Sequence, residues 1–180
     1  MQAEVFWVPG PWRGRLGIVL RPRGGDWLAD EMKTWREAGI DRVVSLLEQY
    51  EQAQLDLEGE AEAAAANGVE FTSFPVPDRG IPPSAESAAD LIRSVSGALE
   101  RGRTVAVHCR QGIGRSALIT GAVLVAKGQD VPTALRTIKE SRGLEVPETD
   151  EQRQWLRDFA ARLTREPAAQ QLSGLPESRA

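Results

Sequence analysis

Residues 104–116 read TVAVHCRQGIGRS, an apolar run followed by a loop with two glycines and the start of a helical segment. The run from Thr104 to Val107 predicts a buried strand near the centre of a parallel sheet. The apolar pattern from about Arg115 to Lys127 predicts a helix that follows the loop at once. A strand that passes through a short loop into a helix is typical of an α/β domain.

Strand and helix patterns alternate on both sides of this unit. Further strands are predicted at 5–8, 17–20, 43–47 and 71–76. Further helices are predicted at 26–39, 55–66, 84–102 and 132–142, and from Thr149, which forms a capping box with Gln152. The order predicts a single α/β domain over 1–166, with a central, mostly parallel sheet flanked by helices. Residues 167–180 are rich in Pro, Gln, Ser and Ala, and we expect a flexible tail.

The bulk composition limits the function classes. The 180 residues are 41% hydrophobic and 27% charged, as in a soluble globular protein, and the formal net charge of −4 argues against binding nucleic acid through bulk charge. No apolar stretch is long enough to span a bilayer, and no secretory signal is recognisable at the N-terminus. A single cysteine excludes an internal disulfide. We therefore expect a cytoplasmic protein that is a monomer and does not bind a membrane.

The loop after the strand has the features of an anion site. Gly112 and Gly114 permit backbone conformations in which N–H groups turn inward and form a nest for a tetrahedral oxyanion. The positive end of the following helix points at the same place. Arg115, six residues after Cys109, can hold two phosphate oxygens with its planar guanidinium. The predicted phosphate-binding residues are Arg110, Gln111, Gly112, Ile113, Gly114 and Arg115.

The same surroundings favour the thiolate form of Cys109, which makes it a candidate nucleophile. We expect the hydroxyl of Ser116 to donate a hydrogen bond to the sulfur. His108 precedes the cysteine at the end of the strand, and we expect it to hydrogen-bond the loop and tune the thiol. It is the only histidine, and there is no second cysteine, so no metal site is predicted.

The motif His108-Cys109-x5-Arg115-Ser116 resembles the signature of the protein tyrosine phosphatase superfamily, and its Gly-Ile-Gly-Arg-Ser ending resembles the dual-specificity branch. Three further stretches resemble the subgroup of kinase-associated phosphatase and its bacterial relatives. They are RPRGGDWL at 21–28, VSLLE at 44–48 and PVPDRG at 75–80. The resemblance covers roughly residues 12 to 160.

The resemblance implies phosphomonoester hydrolysis through a phosphocysteine intermediate, without metal or cofactor, on a phosphorylated protein or peptide. Phosphotyrosine is the expected target, with phosphoserine and phosphothreonine as further targets. Asp78, 31 residues before Cys109, stands where the family has its general acid. Gln152 matches a family glutamine thought to position the hydrolytic water. Arg142 matches a family arginine of less certain role.

Other interpretations of the same residues are open. Cys109 alone is compatible with a buried structural thiol, and Asp78 with ordinary turn chemistry. Glu48 and Glu51 match acidic family positions and are interpreted either as loop braces or as solvated acids. Alternative functions are a lipid or small-molecule phosphatase, a rhodanese-like sulfurtransferase, and a phosphate-binding module without turnover.

Overall fold

A five-stranded sheet runs through the computed structural model, which describes residues 3–165. Its strands are β1 (Val5–Val8), β2 (Arg15–Val19), β3 (Arg42–Ser45), β4 (Glu70–Ser73) and β5 (Thr104–His108). The strand order is β1-β2-β5-β3-β4, and only the β1–β2 pair is antiparallel. The prediction of a mostly parallel sheet with residues 104–107 at its centre is confirmed. The predicted tail at 167–180 lies outside the described residues.

Within residues 3–165, seven α-helices cover the two faces of the sheet. They are α1 (Leu28–Glu37), α2 (Gln49–Gln54), α3 (Glu60–Ala66), α4 (Ala85–Glu100), α5 (Gly114–Ala126), α6 (Val131–Arg142) and α7 (Asp150–Arg165). One apolar cluster joins α4, α5, α6 and α7 to one face, and a second joins α1 and α3 to the other. Because α5 is buried on nearly all sides, it has no polar stripe, and it is apolar apart from Arg115, Ser116 and Thr120.

The two faces meet different residues of β5, because successive side chains of a strand point to opposite sides. Val105, Val107 and Cys109 belong to the cluster with α4 to α7. Ala106 belongs to the cluster with α1 and α3, and the ring of His108 lies on that side beside Trp35. The neighbours His108 and Cys109 therefore face opposite sides of the sheet.

Local signals in the sequence set several helix ends. The Oγ of Ser84 accepts a hydrogen bond from the N–H of Ser87 at the start of α4. Asp130 caps α6 in the same way, and Gly143 ends that helix with a left-handed conformation, φ 68°. The helix predicted from Asp26 instead begins at Leu28, after a turn of 3-10 helix over Gly25–Trp27.

The helix predicted over 55–66 is confirmed only for its second half, where α3 begins at Glu60, and α2 precedes the predicted range. The chain forms α2 and α3 with a break between them, where Asp56 has a positive φ of 54°. Gly24 and Gly25 pack against this break, and the N–H of Gly25 donates to the carbonyl of Asp56. The break separates two helices that each carry one buried glutamate, Glu51 and Glu60. Among residues 3–165, no helix has the length and apolar character needed to cross a membrane.

Candidate active site

Cys109 lies at the carboxyl end of the central strand, and its side chain is buried at the base of a surface pocket. Residues 110–113 form the loop, and α5 begins at Gly114. Within the described part of the chain, the backbone amides of residues 110–113 donate no hydrogen bond to a protein acceptor. Unbonded amides in front of a helix N-terminus can bind the oxygens of a tetrahedral anion.

Gly112 and Gly114 are required for different reasons. Gly112 has a φ of 64°, and a Cβ there would lie 3.2 Å from both the carbonyl oxygen of Val19 and the side chain of Ile18. A Cβ on Gly114 would lie 2.5 Å from a carboxylate oxygen of Glu148. Gly112 thus supplies a backbone conformation, and Gly114 supplies space for a carboxylate at the pocket wall.

Arg115 is fully buried, and a carboxylate holds one edge of its guanidinium. Glu51 accepts from Nη1 at 2.6 Å and from Nη2 at 2.9 Å, a bidentate pair. The carbonyls of Leu46 and Val76 also accept from Nη1. No hydrogen bond from Nε to any described residue is present, so the Nε–Nη2 edge is left to bind phosphate oxygens.

The pair shifts both ionisation equilibria. Burial by itself raises the pKa of Glu51. The hydrogen bonds from Arg115 and from the Glu48 backbone N–H, together with the charge of Arg115, outweigh burial and hold this pKa below its usual value. Burial lowers the pKa of Arg115, but the bond to Glu51 and the charges of Cys109, Glu51 and Asp78 raise it above its usual value. Both groups therefore stay charged over the neutral range.

Asp78 lies at the mouth of the pocket with about half of its side chain exposed. Its Oδ1 is 3.1 Å from Nη2 of Arg115, on the edge that Glu51 does not fully occupy. The loop around it is a tight turn in which Gly80 donates to the carbonyl of Pro77, and Arg79 has a positive φ of 58°. Asp78 thus lies within reach of a ligand bound at Arg115.

Gln152 is fully buried, and its amide bonds two loops together. Nε2 donates to the carbonyl of Gly80 at 2.9 Å, and Oε1 accepts from the backbone N–H groups of Glu148 and Thr149. The predicted capping box with Thr149 is present. Both ends of the amide are engaged in holding the Asp78 loop against the start of α7.

The side chain of His108 does not hydrogen-bond the loop, and that prediction is wrong. Because His108 and Cys109 point to opposite faces of the sheet, the imidazole lies with Nε2 2.8 Å from Oε1 of Glu60, on α3. The hydroxyl of Ser116 is buried and has no hydrogen-bond partner among the described residues. The predicted bond to the sulfur is therefore absent here.

Arg142 braces the loop of residues 110–113 from α6. Its Nε donates to the carbonyl of Gly112 at 2.7 Å, and its guanidinium lies over the ring of Phe6 with 3.7 Å to the ring centroid. A second, longer contact joins Nη2 to the carbonyl of Gln111. Arg142 therefore positions the loop rather than touching a substrate.

The pocket measures about 220 Å³ and brings most of the predicted residues together. It is lined by Asp78, Arg79, Cys109, Arg110, Gln111, Ile113, Gly114, Arg115 and Glu148. Arg79 and Glu148 were not predicted, and Glu51 was left undecided between a brace and a solvated acid. A sequence signal exists for Glu148, since it directly precedes the Thr149 cap. No cluster of three or more His, Cys, Asp or Glu side chains suited to a metal occurs in residues 3–165.

Comparison with known proteins identifies the family. A family model described as "Polymorphic toxin system, DSP-PTPase phosphatase" matches residues 18–129, which include Asp78, Cys109 and Arg115. The chain belongs to this family. The match to the dual-specificity and tyrosine phosphatases confirms the resemblance inferred from residues 108–116.

Curated relatives of this phosphatase family member include cyclin-dependent kinase inhibitor 3 of Sus scrofa, 28% identical over 98 residues. That match covers 53% of the chain and 46% of the relative. The Rattus norvegicus protein is 25% identical over 124 residues, 68% of the chain and 51% of the relative. The chain thus spans about half the length of the curated relatives it matches.

Solved structures of similar fold include kinase-associated phosphatase with its catalytic site cysteine replaced by serine. It has a TM-score of 0.84 at 17% identity and covers 91% of this chain and 97% of that one. The active form of Tk-PTP has a TM-score of 0.70 at 28% identity, covering 83% and 93%. The first likeness shows the fold alone, and the second extends to the sequence.

Proposed function

We propose that this phosphatase family member hydrolyses phosphomonoesters on proteins through a phosphocysteine intermediate, with Cys109 as the nucleophile. One observation carries the proposal. The buried sulfur lies at the base of a pocket with unbonded loop amides, the Arg115 guanidinium and the Asp78 carboxyl around it. These groups supply a nucleophile, an oxyanion site and a proton donor in one place.

In the first step, the thiolate of Cys109 attacks phosphorus and the bond to the leaving oxygen breaks. The Nε–Nη2 edge of Arg115 and the loop amides hold the three equatorial oxygens, which is mostly positioning and electrostatic stabilisation. The carboxyl of Asp78 gives its proton to the leaving oxygen. A phosphate on Arg115 replaces the contact with Asp78 and leaves that carboxyl beside the leaving group.

In the second step, a water attacks phosphorus and the bond to sulfur breaks, which regenerates the thiolate. Asp78, now a carboxylate, takes the proton of the water. Gln152 contributes by holding the Asp78 loop in place, because its amide bonds the carbonyl of Gly80. Ser116 follows Arg115 in the first turn of α5, and its hydroxyl has no partner in the described residues, so we assign it the role of stabilising the departing sulfur.

The proposed substrate is a phosphorylated protein, with phosphotyrosine favoured. The pocket of about 220 Å³ is smaller than the roughly 300–1,000 Å³ typical for drug-sized ligands. It accommodates a phosphoryl group and the first atoms of its leaving group rather than a whole small molecule. The single free cysteine suits a reducing compartment, so we place the enzyme in the cytoplasm, as a monomer.

The test is hydrolysis of p-nitrophenyl phosphate from pH 5 to 8, with EDTA and a reductant, by wild type and Cys109→Ser. We expect activity that survives EDTA and is lost in Cys109→Ser, and a phosphoryl adduct on Cys109 by mass spectrometry of acid-quenched enzyme. Matched phosphotyrosine and phosphothreonine peptides, a phosphoinositide and thiosulfate then separate protein phosphatase, lipid phosphatase and sulfurtransferase. An undiminished rate in Cys109→Ser would contradict the assignment of Cys109 as the nucleophile. Peptide binding without phosphate release would indicate a recognition module.

A further inference from the structure

The exposed large hydrophobic side chains of the described chain lie at one edge of the sheet. In residues 3–165 there are four of them, Leu20, Trp27, Tyr50 and Leu144, with relative exposures from 42% to 54%. Leu20 and Trp27 follow β2, Tyr50 follows β3, and Leu144 follows α6, whose last residue bonds the loop after β5. Because β2, β3 and β5 run parallel, their carboxyl ends share the edge that carries the pocket. Exposed apolar side chains grouped around a site indicate an interaction surface.

Two of the four border the pocket on the side of residues 110–113. A Cβ on Gly112 would lie 3.6 Å from Cδ2 of Leu20, so this leucine packs against the loop although 42% of the residue stays exposed. Leu144 comes two residues after Arg142, which donates a hydrogen bond to the carbonyl of Gly112. The two leucines therefore lie beside the loop that forms the anion site.

Tyr50 borders the pocket on the side of Asp78. It directly precedes Glu51, the carboxylate that binds Arg115. Partial desolvation and the charges of Glu51, Glu48 and Asp78 raise the pKa of Tyr50, which shows that its phenol group lies near these carboxylates. The tyrosine ring is therefore an exposed apolar surface next to the carboxyl at the mouth of the pocket.

Trp27 extends the tyrosine side outward. The turn that contains it is bonded to the end of α2, because the N–H of Gly25 donates to the carbonyl of Asp56. The guanidinium of Arg23 lies over the indole, 4.4 Å from the ring centroid, yet 54% of the tryptophan is exposed. The pocket is thus bordered by leucines on one side and by aromatic rings on the other.

The charges at the pocket give no comparable preference. The charged side chains that line the pocket or hold Arg115 are three arginines and three carboxylates, namely Arg79, Arg110, Arg115, Glu51, Asp78 and Glu148. A substrate with acidic residues beside its phosphate would meet as many negative as positive groups. Selection among proteins therefore depends on the apolar border rather than on charge.

The small pocket assigns an occupant to this border. In the proposed function it takes the phosphoryl group and the first atoms of the leaving group, so the neighbouring residues of the substrate must rest outside it. We propose that Leu20, Trp27, Tyr50 and Leu144 form a docking surface for the phosphorylated protein that selects apolar residues on both sides of the phosphorylated residue. The inference rests on the proposed function, because its occupant is the substrate of the pocket.

Three phosphotyrosine peptides test the selection on the unmodified protein. They are identical except at the two positions on each side of the phosphotyrosine, which are all Leu, all Ser or all Glu. We expect kcat/KM for phosphate release to be at least about tenfold higher for the Leu peptide than for the Ser peptide, because only the Leu peptide buries apolar area on the border. The Glu peptide should be no better than the Ser peptide. Equal values for all three, or the highest value for the Glu peptide, overturn the inference.

Leu20→Ser, Tyr50→Ser and Leu144→Ser locate the selection on the molecule. Each should lower kcat/KM for the Leu peptide by about fivefold, since about half of each side chain is left to bury. The rate with p-nitrophenyl phosphate, which has no flanking residues, should be unchanged and shows that each variant is folded. Lys33→Ser, an exposed change on α1, is the control and should affect neither substrate. Equal losses with both substrates in all three variants would contradict a docking role.

Binding to Cys109→Ser separates this inference from the proposed function. Fluorescence anisotropy of the labelled peptides with this variant measures the preference without turnover, and the Leu peptide should bind more tightly than the Ser peptide. If wild type releases no phosphate, or Cys109→Ser keeps its rate, the proposed function fails whatever the anisotropy is. A second copy of the chain on this surface would give sedimentation that depends on protein concentration and no preference among the peptides, which overturns the inference.

Discussion

The two protein groups that act on the phosphoryl group in the proposed mechanism are held very differently. Arg115 is buried and bonded to Glu51, Leu46 and Val76 on one edge, whereas Asp78 is half exposed and touches the site through a single contact of 3.1 Å. In the proposed mechanism, the anion site is thus held on several sides, whereas the proton donor lies at the solvent-exposed mouth of the pocket. A rigid site needs no reorganisation during reaction, and an exposed loop lets the leaving group depart.

Replacing the rigid group should have the larger effect. Arg115→Lys keeps the charge but removes the planar edge that binds two phosphate oxygens while Glu51 holds the other edge. Loss of one oxyanion donor costs about 10²–10³ in kcat, so we expect a fall of about 10³ or more. Steady-state kinetics with p-nitrophenyl phosphate measures it, and Arg79→Lys, at the exposed rim of the pocket, is the control. A fall below tenfold would show that Arg115 does not bind the reacting phosphate.

Replacing Asp78, the exposed group, should lower the rate by a factor that depends on the leaving group of the substrate. Asp78→Asn keeps the shape but cannot donate a carboxyl proton, and general acids contribute about 10²–10⁴-fold. We expect a loss of about 10²-fold with phenyl phosphate and a smaller loss with p-nitrophenyl phosphate, whose leaving oxygen needs little protonation. Asp56→Asn, in the break between α2 and α3, serves as a control. Equal losses with both substrates would rule out proton donation as the role of Asp78.

Glu51→Gln tests whether the rigidity of Arg115 depends on its partner. Removing one member of a buried ion pair costs about 3–5 kcal/mol, and we expect about 3 kcal/mol in the free energy of unfolding because the amide oxygen still accepts a hydrogen bond. We also expect a roughly tenfold lower kcat/KM. Urea unfolding at pH 7 measures the free energy of unfolding, and steady-state kinetics measures kcat/KM. The control is Glu58→Gln, which changes an exposed acid on the same segment.

The same pair predicts a pH dependence. The pKa of Glu51 is lowered in the folded protein, so its stabilisation is complete above the unfolded value near 4.3 and is lost as the pH falls through the lower folded value. The difference in unfolding free energy between wild type and Glu51→Gln should therefore be constant from pH 5 to 8 and shrink below about pH 4. A difference that grew on acidification would contradict the assigned direction.

The smallest effect on the rate is expected for Gln152, which bonds the Asp78 loop to the start of α7. Gln152→Ala removes the bond from its amide to the carbonyl of Gly80, and a neutral hydrogen bond contributes about 1 kcal/mol. We expect a roughly fivefold lower kcat, as the Asp78 loop spends less time in place, with little change in KM. Amide hydrogen exchange of residues 78–81 should become faster. Unchanged exchange with lower kcat would instead favour the role in water positioning implied by the family.

The sequence by itself determined the alternation of strands and helices, the central position of residues 104–107 and the phosphate loop with Cys109 and Arg115. These depend on local patterns, namely apolar periodicity, glycine positions and the spacing within one motif. The Asp78 position came from the family resemblance, since a turn with Asp, Arg and Gly has no unique meaning alone.

Only the tertiary structure decided which glutamates matter. Glu51 and Glu60 lie in an acidic stretch that resembles a solvated helix face, yet both are buried. The break at Asp56 separates the two short helices, so each helix packs its glutamate against a different buried partner. Glu51 reaches Arg115 and Glu60 reaches His108 over long sequence separations. Such pairings depend on how the elements pack in three dimensions, which no local pattern encodes.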